Sequence, residues 1–287
     1  MSNTLVTGSA GFIGSVLVKQ LREAGHAVIE IDQPQGDISL QETLHPYLDK
    51  KIDHIFHLAG KTFVPESWQH PYGFYQVNVL GTVNILELCR KTGARLTYVS
   101  SYLYGEPDYL PVDENHPLKS YNPYSNTKMM AESACRFYSD NFQVPSVILR
   151  PFNAYGPGQP DKFLIGEIIS KVMDSTVDTV EVMDLQPKRD YVYVDDLVRA
   201  LVRSMDAKQG VYNIGSGYSK SVEEIILLVM KSAGIRKDYR SKGVSRPNEI
   251  YDLFADIRKA ETGLGWKPEV SFEEGIIRCI REYSFNR

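Results

Sequence analysis

The segment SYNPYSNTK, residues 120–128, places a tyrosine and a lysine four residues apart. On a helix this spacing is about one turn, so the side chains of Tyr124 and Lys128 share a face. Asn122 suits an N-cap and Pro123 the first helical turn, which predicts that Tyr124 lies at the positive end of a helix. The helix dipole and the lysine ammonium both stabilise a phenolate, so we expect a lowered pKa for Tyr124. Such a phenol can exchange a proton with a hydroxyl while hydride moves at the same carbon.

A tyrosine and a lysine at this spacing also occur on solvated helix faces, so the interpretation depends on the surrounding sequence. The segment VTGSAGFIG carries Gly8, Gly11 and Gly14 between an apolar strand pattern and an amphipathic helix pattern. Glycines there permit a tight turn, close approach of the backbone to a pyrophosphate, and close packing of helix on strand. The phosphates then lie at the helix N-terminus, where backbone N–H groups are free. The strand before and the helix after disfavour the alternative of a flexible turn.

Asp32 ends the second predicted strand, AVIEID. A carboxylate at this position accepts hydrogen bonds from the ribose 2′-hydroxyl of a dinucleotide and repels a 2′-phosphate. The sequence has no arginine directly after Asp32 that would reverse this preference. The pattern therefore favours NAD(H) over NADP(H) as the cofactor.

These residues need a scaffold, and strand and helix patterns alternate along the first half of the chain. Alternation at this spacing predicts right-handed βαβ units and a doubly wound parallel sheet of the α/β class, a Rossmann-type fold. Beyond about residue 153 the alternation loosens, which predicts a smaller α/β cap over the carboxyl edge of the sheet. We expect residues 1–152, with about 186–217, to form the NAD-binding domain. The cap would comprise about 153–185 and 218–287.

Three helices are predicted to begin with a capping box, in which a serine is followed three residues later by a glutamate. The three pairs are Ser39 with Glu42, Ser221 with Glu224, and Ser271 with Glu274. The adjacent Asp195 and Asp196 precede another helix pattern, and because N-caps prefer aspartate we interpret them as structural rather than as general acids.

The composition excludes several classes of function. The chain has 287 residues with 43% hydrophobic and 24% charged side chains, which is typical of a folded globular protein. A net charge of −4 makes a sequence-independent grip on nucleic acid improbable. No stretch approaches the roughly 20 apolar residues of a membrane span. The histidines and the three cysteines lack metal-ligand spacing, so we expect no metal, free buried thiols and a cytoplasmic protein.

The glycine spacing is G-x-x-G-x-x-G, and together with other motifs it resembles the extended short-chain dehydrogenase/reductases. This branch, the NAD-dependent epimerase/dehydratase family, contains nucleotide-sugar epimerases, dehydratases and reductases. The resemblance covers the whole chain in order. The matching segments are GDI (36–38), HLAG (57–60), NVLGT (78–82), VSSYLYG (99–105), YSNTK (124–128), LRPFNAYGPGQ (149–159), RDYVYVDD (189–196), YNIGSG (212–217) and LGWKP (264–268).

The resemblance implies roles for individual residues. Tyr124 would be the acid/base, and Lys128 would also bind the nicotinamide ribose. A hydroxyl in VSS would orient the C4 oxygen of the sugar; Ser100, four residues before Tyr104, is assigned to it, with Ser101 as the alternative. Either serine could instead cap backbone groups at the strand end. The cofactor-binding set would be Gly8, Gly11, Phe12, Ile13, Gly14, Asp32, Asp37, Ile38, Leu58, Ala59, Gly60, Asn78, Tyr124 and Lys128.

The resemblance also implies a nucleotide-diphosphate sugar as substrate. Besides the two serines, its contacts would come from Asn153, Phe163, Arg189 and Arg246. Arginine suits forked contacts to phosphate. Each of these side chains also has a structural alternative: turn capping for the asparagine, core packing for the phenylalanine, an ion pair for the first arginine and a solvated loop for the second.

The reaction at the sugar is narrowed by departures from the family pattern. The 4,6-dehydratases carry an Asp-Glu pair, or at least the Glu, after the catalytic hydroxyl, where this chain has Ser101 and Tyr102. Asp37 follows Asp32 by only five positions, a shortening found in compact 4-keto-sugar reductases of the family. We therefore expect reduction of a nucleotide-diphosphate 4-keto-6-deoxyhexose. The alternatives are 4-epimerisation with tightly held NAD and a non-catalytic sensor of NAD or nucleotide sugar.

Family members often dimerise through two helices that correspond to residues 72–92 and 123–142 here. The resemblance therefore implies a homodimer. The alternative is that the apolar faces of these helices only cover their own sheet.

Overall fold

The computed structural model describes residues 1–244 and 249–285. Its strands are β1 (Asn3–Thr7), β2 (Ala27–Ile31), β3 (His54–His57), β4 (Arg95–Val99), β5 (Ser146–Pro151), β6 (Asn153–Tyr155), β7 (Thr179–Val182), β8 (Lys188–Tyr193), β9 (Gly210–Ile214), β10 (Ser219–Ser221), β11 (Asp238–Ser241) and β12 (Asp252–Leu253). Its α-helices are α1 (Phe12–Glu23), α2 (Val64–Gln69), α3 (Pro71–Phe74), α4 (Gly81–Thr92), α5 (Pro123–Phe142), α6 (Leu164–Met173), α7 (Val194–Arg203), α8 (Val222–Ala233), α9 (Arg258–Leu264) and α10 (Phe272–Phe285).

Within the described residues, a six-stranded parallel sheet runs in the order β2-β1-β3-β4-β5-β9. Side chains of the central strands are buried on both faces, which explains their near-continuous apolar sequences. One apolar cluster includes α1, α6, α7 and α8, and a second includes α4 and α5. The predicted doubly wound α/β fold is confirmed.

The connection from β2 to β3 differs from the prediction. Two 3₁₀ helices, Gln33–Gln35 and Gln41–Tyr47, replace the expected α-helix. The second begins after Leu40 without a side-chain cap, so the capping box predicted at Ser39 and Glu42 is wrong. Pro46 lies inside this segment and has no N–H for an α-helical hydrogen bond, which favours the short form. The link is compact, as the spacing from Asp32 to Asp37 indicated.

The helix predicted across residues 72–93 is interrupted. After α3, residues Tyr75–Leu80 form a π-helical segment before α4 continues to Gly93, whose positive φ of 76° ends the helix. By contrast, α5 is continuous and begins as predicted. The side chain of Asn122 accepts a hydrogen bond from the Ser125 N–H at 2.8 Å, and Pro123 occupies the first turn.

The second half of the chain adds smaller sheets. Strand β8 pairs with β10, β12 and β6, and β7 pairs with β11. The capping box of α8 is confirmed, because Ser221 and Glu224 bond to each other's backbone N–H. At α10 the Glu274 N–H donates to Ser271 Oγ at 3.2 Å, while the Glu274 carboxylate accepts from Arg278.

Asp195 and Asp196 are structural, but they do not cap α7, because its N-cap is Tyr193. Asp196 is buried and accepts hydrogen bonds from the N–H groups of Glu269 and Val270, both at 3.1 Å. It also pairs with Arg199 at 2.6 Å. This carboxylate therefore attaches the chain before α10 to α7.

The three cysteines, Cys89, Cys135 and Cys279, are buried free thiols, as expected. Across residues 1–244 and 249–285, no group of three or more His, Cys, Asp or Glu is placed to hold a metal ion. In the same residues, no helix is both long enough and apolar enough to cross a membrane.

Asp196→Ala should lower the free energy of unfolding by about 3 kcal/mol, because it removes a buried charge and leaves two N–H groups and Arg199 without their partner. Asp195→Ala is the matched control, since Asp195 is half-buried and forms only a long ion pair, 3.8 Å, with Arg278. Denaturant unfolding of both variants measures the difference. Equal stabilities would contradict the role given to Asp196.

Candidate active site

The glycine segment forms a tight loop between β1 and α1. Gly8 has a positive φ of 71°, and its N–H donates to Ile31 O at 2.8 Å. A Cβ on Gly14 would lie 2.0 Å from Gly8 O, and one on Gly8 would lie 2.8 Å from Ala59 N. Phe12 and Ile13 then open α1 behind the N-cap Gly11. The loop thus leaves a side-chain-free cradle at a helix N-terminus, which fits the pyrophosphate of a dinucleotide.

Asp32 lies at the carboxyl end of β2, beside this cradle. Its Oδ2 accepts from the Ala10 N–H and its Oδ1 from the Gln33 N–H, both at 2.7 Å. The carboxylate therefore holds the glycine loop as well as facing the edge where a ribose would lie. Each oxygen keeps a second lone pair for a ligand hydroxyl.

Asp37 and Ile38 follow the 3₁₀ turn after β2. Asp37 Oδ1 accepts from the Ser39 N–H at 2.9 Å, and Ile38 is buried against Gly81 of α4. A Cβ on Gly81 would meet Ile38 Cδ1 at 2.8 Å, so a glycine at 81 lets this segment approach α4. Asp37 and Ile38 lie on the same side of the sheet as the glycine loop.

The loop after β3, residues 58–60, is fixed by a buried histidine. His57 contacts Thr7 Oγ1 at 2.7 Å and Thr82 Oγ1 at 3.0 Å, and the Ala59 N–H donates to Thr7 Oγ1. Burial, with a further contribution from Lys128, lowers the pKa of His57 to about 3. The ring is therefore neutral and serves as a hydrogen-bonding spacer between strands and helix.

Asn78 was predicted to contact the cofactor, but the structure gives its amide other partners. Its Nδ2 donates to Lys61 O and Thr127 Oγ1, both at 3.0 Å, and its Oδ1 accepts from the Lys61 N–H at 2.8 Å. Both amide hydrogens are used, so Asn78 holds Gly60 and the loop after β3 in place. Gly60 in turn lies over Lys128, since a Cβ there would be 3.7 Å from Lys128 Nζ.

Tyr124 and Lys128 lie on the inward face of α5, at the carboxyl end of β4. The Ser101 side chain is within hydrogen-bonding reach of the Tyr124 phenol. Lys128 is buried; its Nζ donates to Val99 O at 2.8 Å and lies 4.8 Å from the centre of the Tyr98 ring. The predicted grouping of a hydroxyl, a phenol and an ammonium is present.

The assignment of Ser100 as the orienting hydroxyl is corrected by the geometry. Ser100 is buried, and its Oγ donates to Glu132 Oε1 at 2.6 Å. Consecutive residues leaving a strand point to opposite faces, so Ser101 and not Ser100 lies beside Tyr124. Residues 101–104 form no regular element, so a fixed count back from Tyr104 does not determine which serine faces the site.

The expected lowering of the tyrosine pKa is also corrected. Burial raises the pKa of Tyr124 to about 12, against a smaller lowering by the hydrogen bond with Ser101. Lys128 is directed at Val99 O and at the Tyr98 ring, so in this structure its charge does not offset that burial. Burial lowers the pKa of Lys128 itself to about 8.

The residues predicted to bind the sugar nucleotide lie on the second half of the chain. Asn153 Nδ2 donates to Asp190 O at 2.8 Å, and its Oδ1 accepts from the Tyr102 hydroxyl at 3.0 Å. Arg189 forms an ion pair, the structural alternative given for it, and its partner is Glu249 at 2.5 Å. Arg246 lies outside the described residues.

Phe163 is the N-cap residue of α6 and is half-buried. Its ring lies edge-on to Phe63 at 6.3 Å, and Lys162 Nζ lies 4.7 Å from the centre of the Phe63 ring. This contact joins the loop after β3 to the second half of the chain. Phe163 therefore does more than pack in the core, which was the alternative considered from the sequence.

Two features of the site were missed in the sequence. Glu132, four residues after Lys128, continues the same helix face and pairs with Arg150 at 2.7 Å beneath the site. The sequence signal for Glu132 was its position eight residues after Tyr124 and four after Lys128, which places all three on one helix face. Tyr102 was noted only as a departure from the dehydratase pattern; its ring stacks on Phe152 at 5.2 Å.

A parallel α/β sheet with a glycine loop, a terminal acid and a Ser-Tyr-Lys group defines a dinucleotide-dependent oxidoreductase of the short-chain type. Comparison with known proteins agrees with this class. Residues 4–215 match the family model described as "NAD dependent epimerase/dehydratase family". The chain belongs to this family.

Individual proteins resemble the chain over nearly its full length. A putative UDP-glucose 4-epimerase of Methanocaldococcus jannaschii is 35% identical, with 96% of each chain covered. A GDP-6-deoxy-D-mannose reductase of Pseudomonas aeruginosa is 28% identical over 97% of this chain and 96% of the relative. The crystal structure of a UDP-glucose 4-epimerase of Thermotoga maritima with UDP-glucose superposes with a TM-score of 0.92, at 28% identity and 99% coverage of both chains.

Several predictions are settled by these matches. The family resemblance, the identification as an enzyme and NAD as the cofactor type are confirmed. The relatives include both epimerases and a reductase, so the class of nucleotide-sugar enzyme is confirmed while both reactions remain represented.

Gly14→Ala should weaken NADH binding at least about tenfold, because its Cβ would overlap Gly8 O and displace the loop. Gly73→Ala is the control, since a Cβ there meets only the Lys61 side chain, at 3.6 Å. Titration by NADH fluorescence measures both affinities. Unchanged binding by Gly14→Ala would show that the loop does not hold the dinucleotide.

Proposed function

We propose that the protein transfers hydride at C4 of a nucleotide-diphosphate sugar and that its reaction is reduction of a 4-keto-6-deoxyhexose. The observation that carries this proposal is the meeting of Ser101 and Tyr124 above the buried Lys128, at the edge of the sheet that also bears the glycine cradle. A hydroxyl, a phenol and an ammonium in this order can bind a carbonyl oxygen and supply its proton.

The chain's own residues suit the dinucleotide. Gly8, Gly11, Phe12, Ile13 and Gly14 would hold its pyrophosphate, Asp32 one ribose, and the loops at 37–38 and 58–60 its two ends. When bound, NAD(H) supplies or accepts the hydride. Lys128 would bind the second ribose, because Gly60 leaves space above its ammonium. The dinucleotide would lie on residues 1–152 with 186–217.

The phenol of Tyr124 can supply the proton of a reduction. Burial raises the pKa of this half-buried side chain, which favours its protonated form. A protonated phenol is ready to act as an acid toward a ketone oxygen, which is the first proton step of a reduction. Ser101 would orient that oxygen by a second hydrogen bond.

The sugar nucleotide would be held mainly by residues 153–185 and 218–287. Asn153, Phe163 and Arg189 are the proposed contacts, and a superposable relative was crystallised with UDP-glucose. Arg189 is tied to Glu249, so we propose that the diphosphate takes over part of this ion pair. Arg246, in the same chain segment as Glu249, is proposed as the second arginine.

Epimerisation at C4 is the second candidate. A putative UDP-glucose 4-epimerase is 35% identical to this chain, and the match covers 96% of that relative. A short chain is therefore found in epimerases as well as in reductases, and chain length alone does not distinguish the two reactions. An epimerase would first oxidise the sugar with Tyr124 as the base and then reduce it again with Tyr124 as the acid.

The two reactions are distinguished by their redox balance. The purified protein should consume one NADH for each molecule of a nucleotide-diphosphate 4-keto-6-deoxysugar, with UDP, GDP, dTDP and CDP forms tested in parallel. Absorbance at the NADH band measures this. Redox-neutral turnover of a UDP-hexose, with NAD retained through purification, would overturn the reductase proposal in favour of the epimerase.

Tyr124→Phe should lower kcat by at least about a hundredfold, because it removes the acid while keeping the ring. NADH affinity should stay within about threefold of wild type, since Lys128 and the loops remain. Tyr121→Phe, an exposed tyrosine three residues earlier, is the control. Near-normal turnover of Tyr124→Phe would remove the phenol from the reaction.

We propose that the protein is a homodimer through helices of residues 72–92 and 123–142. Their outer surfaces expose large apolar side chains, a pattern that is uncommon on monomers when contiguous. Tyr75 bonds to Asn126 at 2.8 Å, which joins the two helical segments into one surface. The exposed side chains are Tyr72, Tyr75, Leu80, Met130 and Phe137.

Phe137→Asp should convert the dimer to a monomer, because a buried unpaired carboxylate costs several kcal/mol at an interface. Light scattering after size exclusion measures the mass relative to the 32.5 kDa chain. Leu227→Asp, an equally apolar exposed position on α8, should leave the dimer intact. A monomeric wild-type protein would contradict the proposal directly.

A further inference from the structure

A buried ion pair lies directly beneath the catalytic group. Glu132 Oε1 accepts from Arg150 Nε at 2.9 Å, and Glu132 Oε2 accepts from the second Arg150 nitrogen at 2.7 Å. Glu132 is fully buried and Arg150 is 2% exposed. Desolvating such a pair costs so much free energy that the pair stabilises the fold little. Its presence beneath the site therefore points to another role.

Two further links connect this pair to the site. Ser100 Oγ donates to Glu132 Oε1 at 2.6 Å, which fixes the residue preceding Ser101. Glu132 also follows Lys128 by four residues, one turn of α5, so carboxylate and ammonium lie on the same helix face. Tyr124, Lys128 and Glu132 thus form a column along the inward face of α5.

We propose that Glu132 is a positioning residue for the reaction: it holds Ser100 so that Ser101 faces Tyr124, and its carboxylate supports the charge of the buried Lys128 ammonium, which lies on the same face of α5. The inference rests on the proposed function of Tyr124 and Lys128. Arg150 fixes the carboxylate in place, and Tyr104, which accepts from Arg150 at 3.0 Å, supports the guanidinium from the other side.

Among the described groups around Lys128, Glu132 is the one that carries a charge near pH 7. Burial lowers the pKa of Lys128 to about 8, and Glu132 acts against this by raising it. From the packed elements, the groups that face Lys128 are Tyr124, Glu132 and Cys135 of α5, Tyr98 of β4 and His57 of β3. The two tyrosines, the cysteine and the histidine are neutral near pH 7, since burial raises the pKa of each acid and lowers that of His57.

The sign of the effect follows. Without the carboxylate, burial acts on Lys128 unopposed, so its pKa falls and the ammonium loses its proton at a lower pH. Glu132→Gln should therefore shift the titration midpoint of Lys128 downward by about one pH unit or more. Ser100→Ala keeps the carboxylate and should leave that midpoint unchanged.

The test uses the full chain without ligands, labelled with ¹⁵N-lysine, and follows the Lys128 signal by NMR across pH; Lys128→Met identifies the signal. Glu132→Gln/Arg150→Met, which removes both charges, serves if the single variant does not fold. Glu87→Gln is the matched control, because Glu87 pairs with Arg90 on α4, away from the site. A midpoint unchanged by loss of Glu132 overturns the charge role, whatever reaction the enzyme performs.

The positioning of Ser101 is tested by kinetics. Ser100→Ala should lower kcat about tenfold while KM and NADH affinity stay within about twofold, because the lost interaction acts on alignment rather than on binding. Glu132→Gln should in addition move the alkaline limb of the kcat profile to lower pH. Wild-type kcat in Ser100→Ala overturns the positioning role, and absence of any activity in the wild type would instead count against the proposed function.

Discussion

The burial of one ammonium, that of Lys128, organises the site. A charge taken out of water needs partners, and here they come from three directions: the carbonyl of Val99, the face of the Tyr98 ring and the carboxylate of Glu132. The contacts with Val99 and Tyr98 fix α5 against the carboxyl end of β4. Tyr124, one turn earlier on α5, is thereby placed beside Ser101, and Gly60 lies next to the ammonium.

What the sequence predicted well depends on neighbouring residues. The glycine loop, the Asn122 cap and the Tyr124–Lys128 pair each follow from spacing within a few positions, and the structure forms all three. The parallel sheet also follows, because buried strands and amphipathic helices alternate. Local pattern and overall fold agree in this half of the chain, which is where the residues predicted to bind the cofactor lie.

What the sequence did not predict depends on distant partners. Nothing near Ser100 indicates that it donates to Glu132, 32 residues later, yet that bond decides which serine faces Tyr124. The sequence predicts that Asn78 contacts the cofactor, whereas in the structure its amide forms hydrogen bonds with Lys61 and Thr127. The pKa of Tyr124 was assigned the wrong direction because the dipole and the lysine were visible in the sequence, whereas the extent of burial was not.

The Glu132–Arg150 pair explains how Lys128 can serve both its fold and its reaction. A lone carboxylate beside Lys128 would bind the ammonium tightly and compete with the phenolate that Tyr124 becomes when it gives up its proton. Arg150 takes two hydrogen bonds of Glu132 and Ser100 takes a third, so the carboxylate is largely satisfied without Lys128. Its remaining field acts to keep the ammonium of Lys128 charged. The cost of desolvating the ion pair is thereby linked to the charge state of a residue that we propose takes part in the reaction.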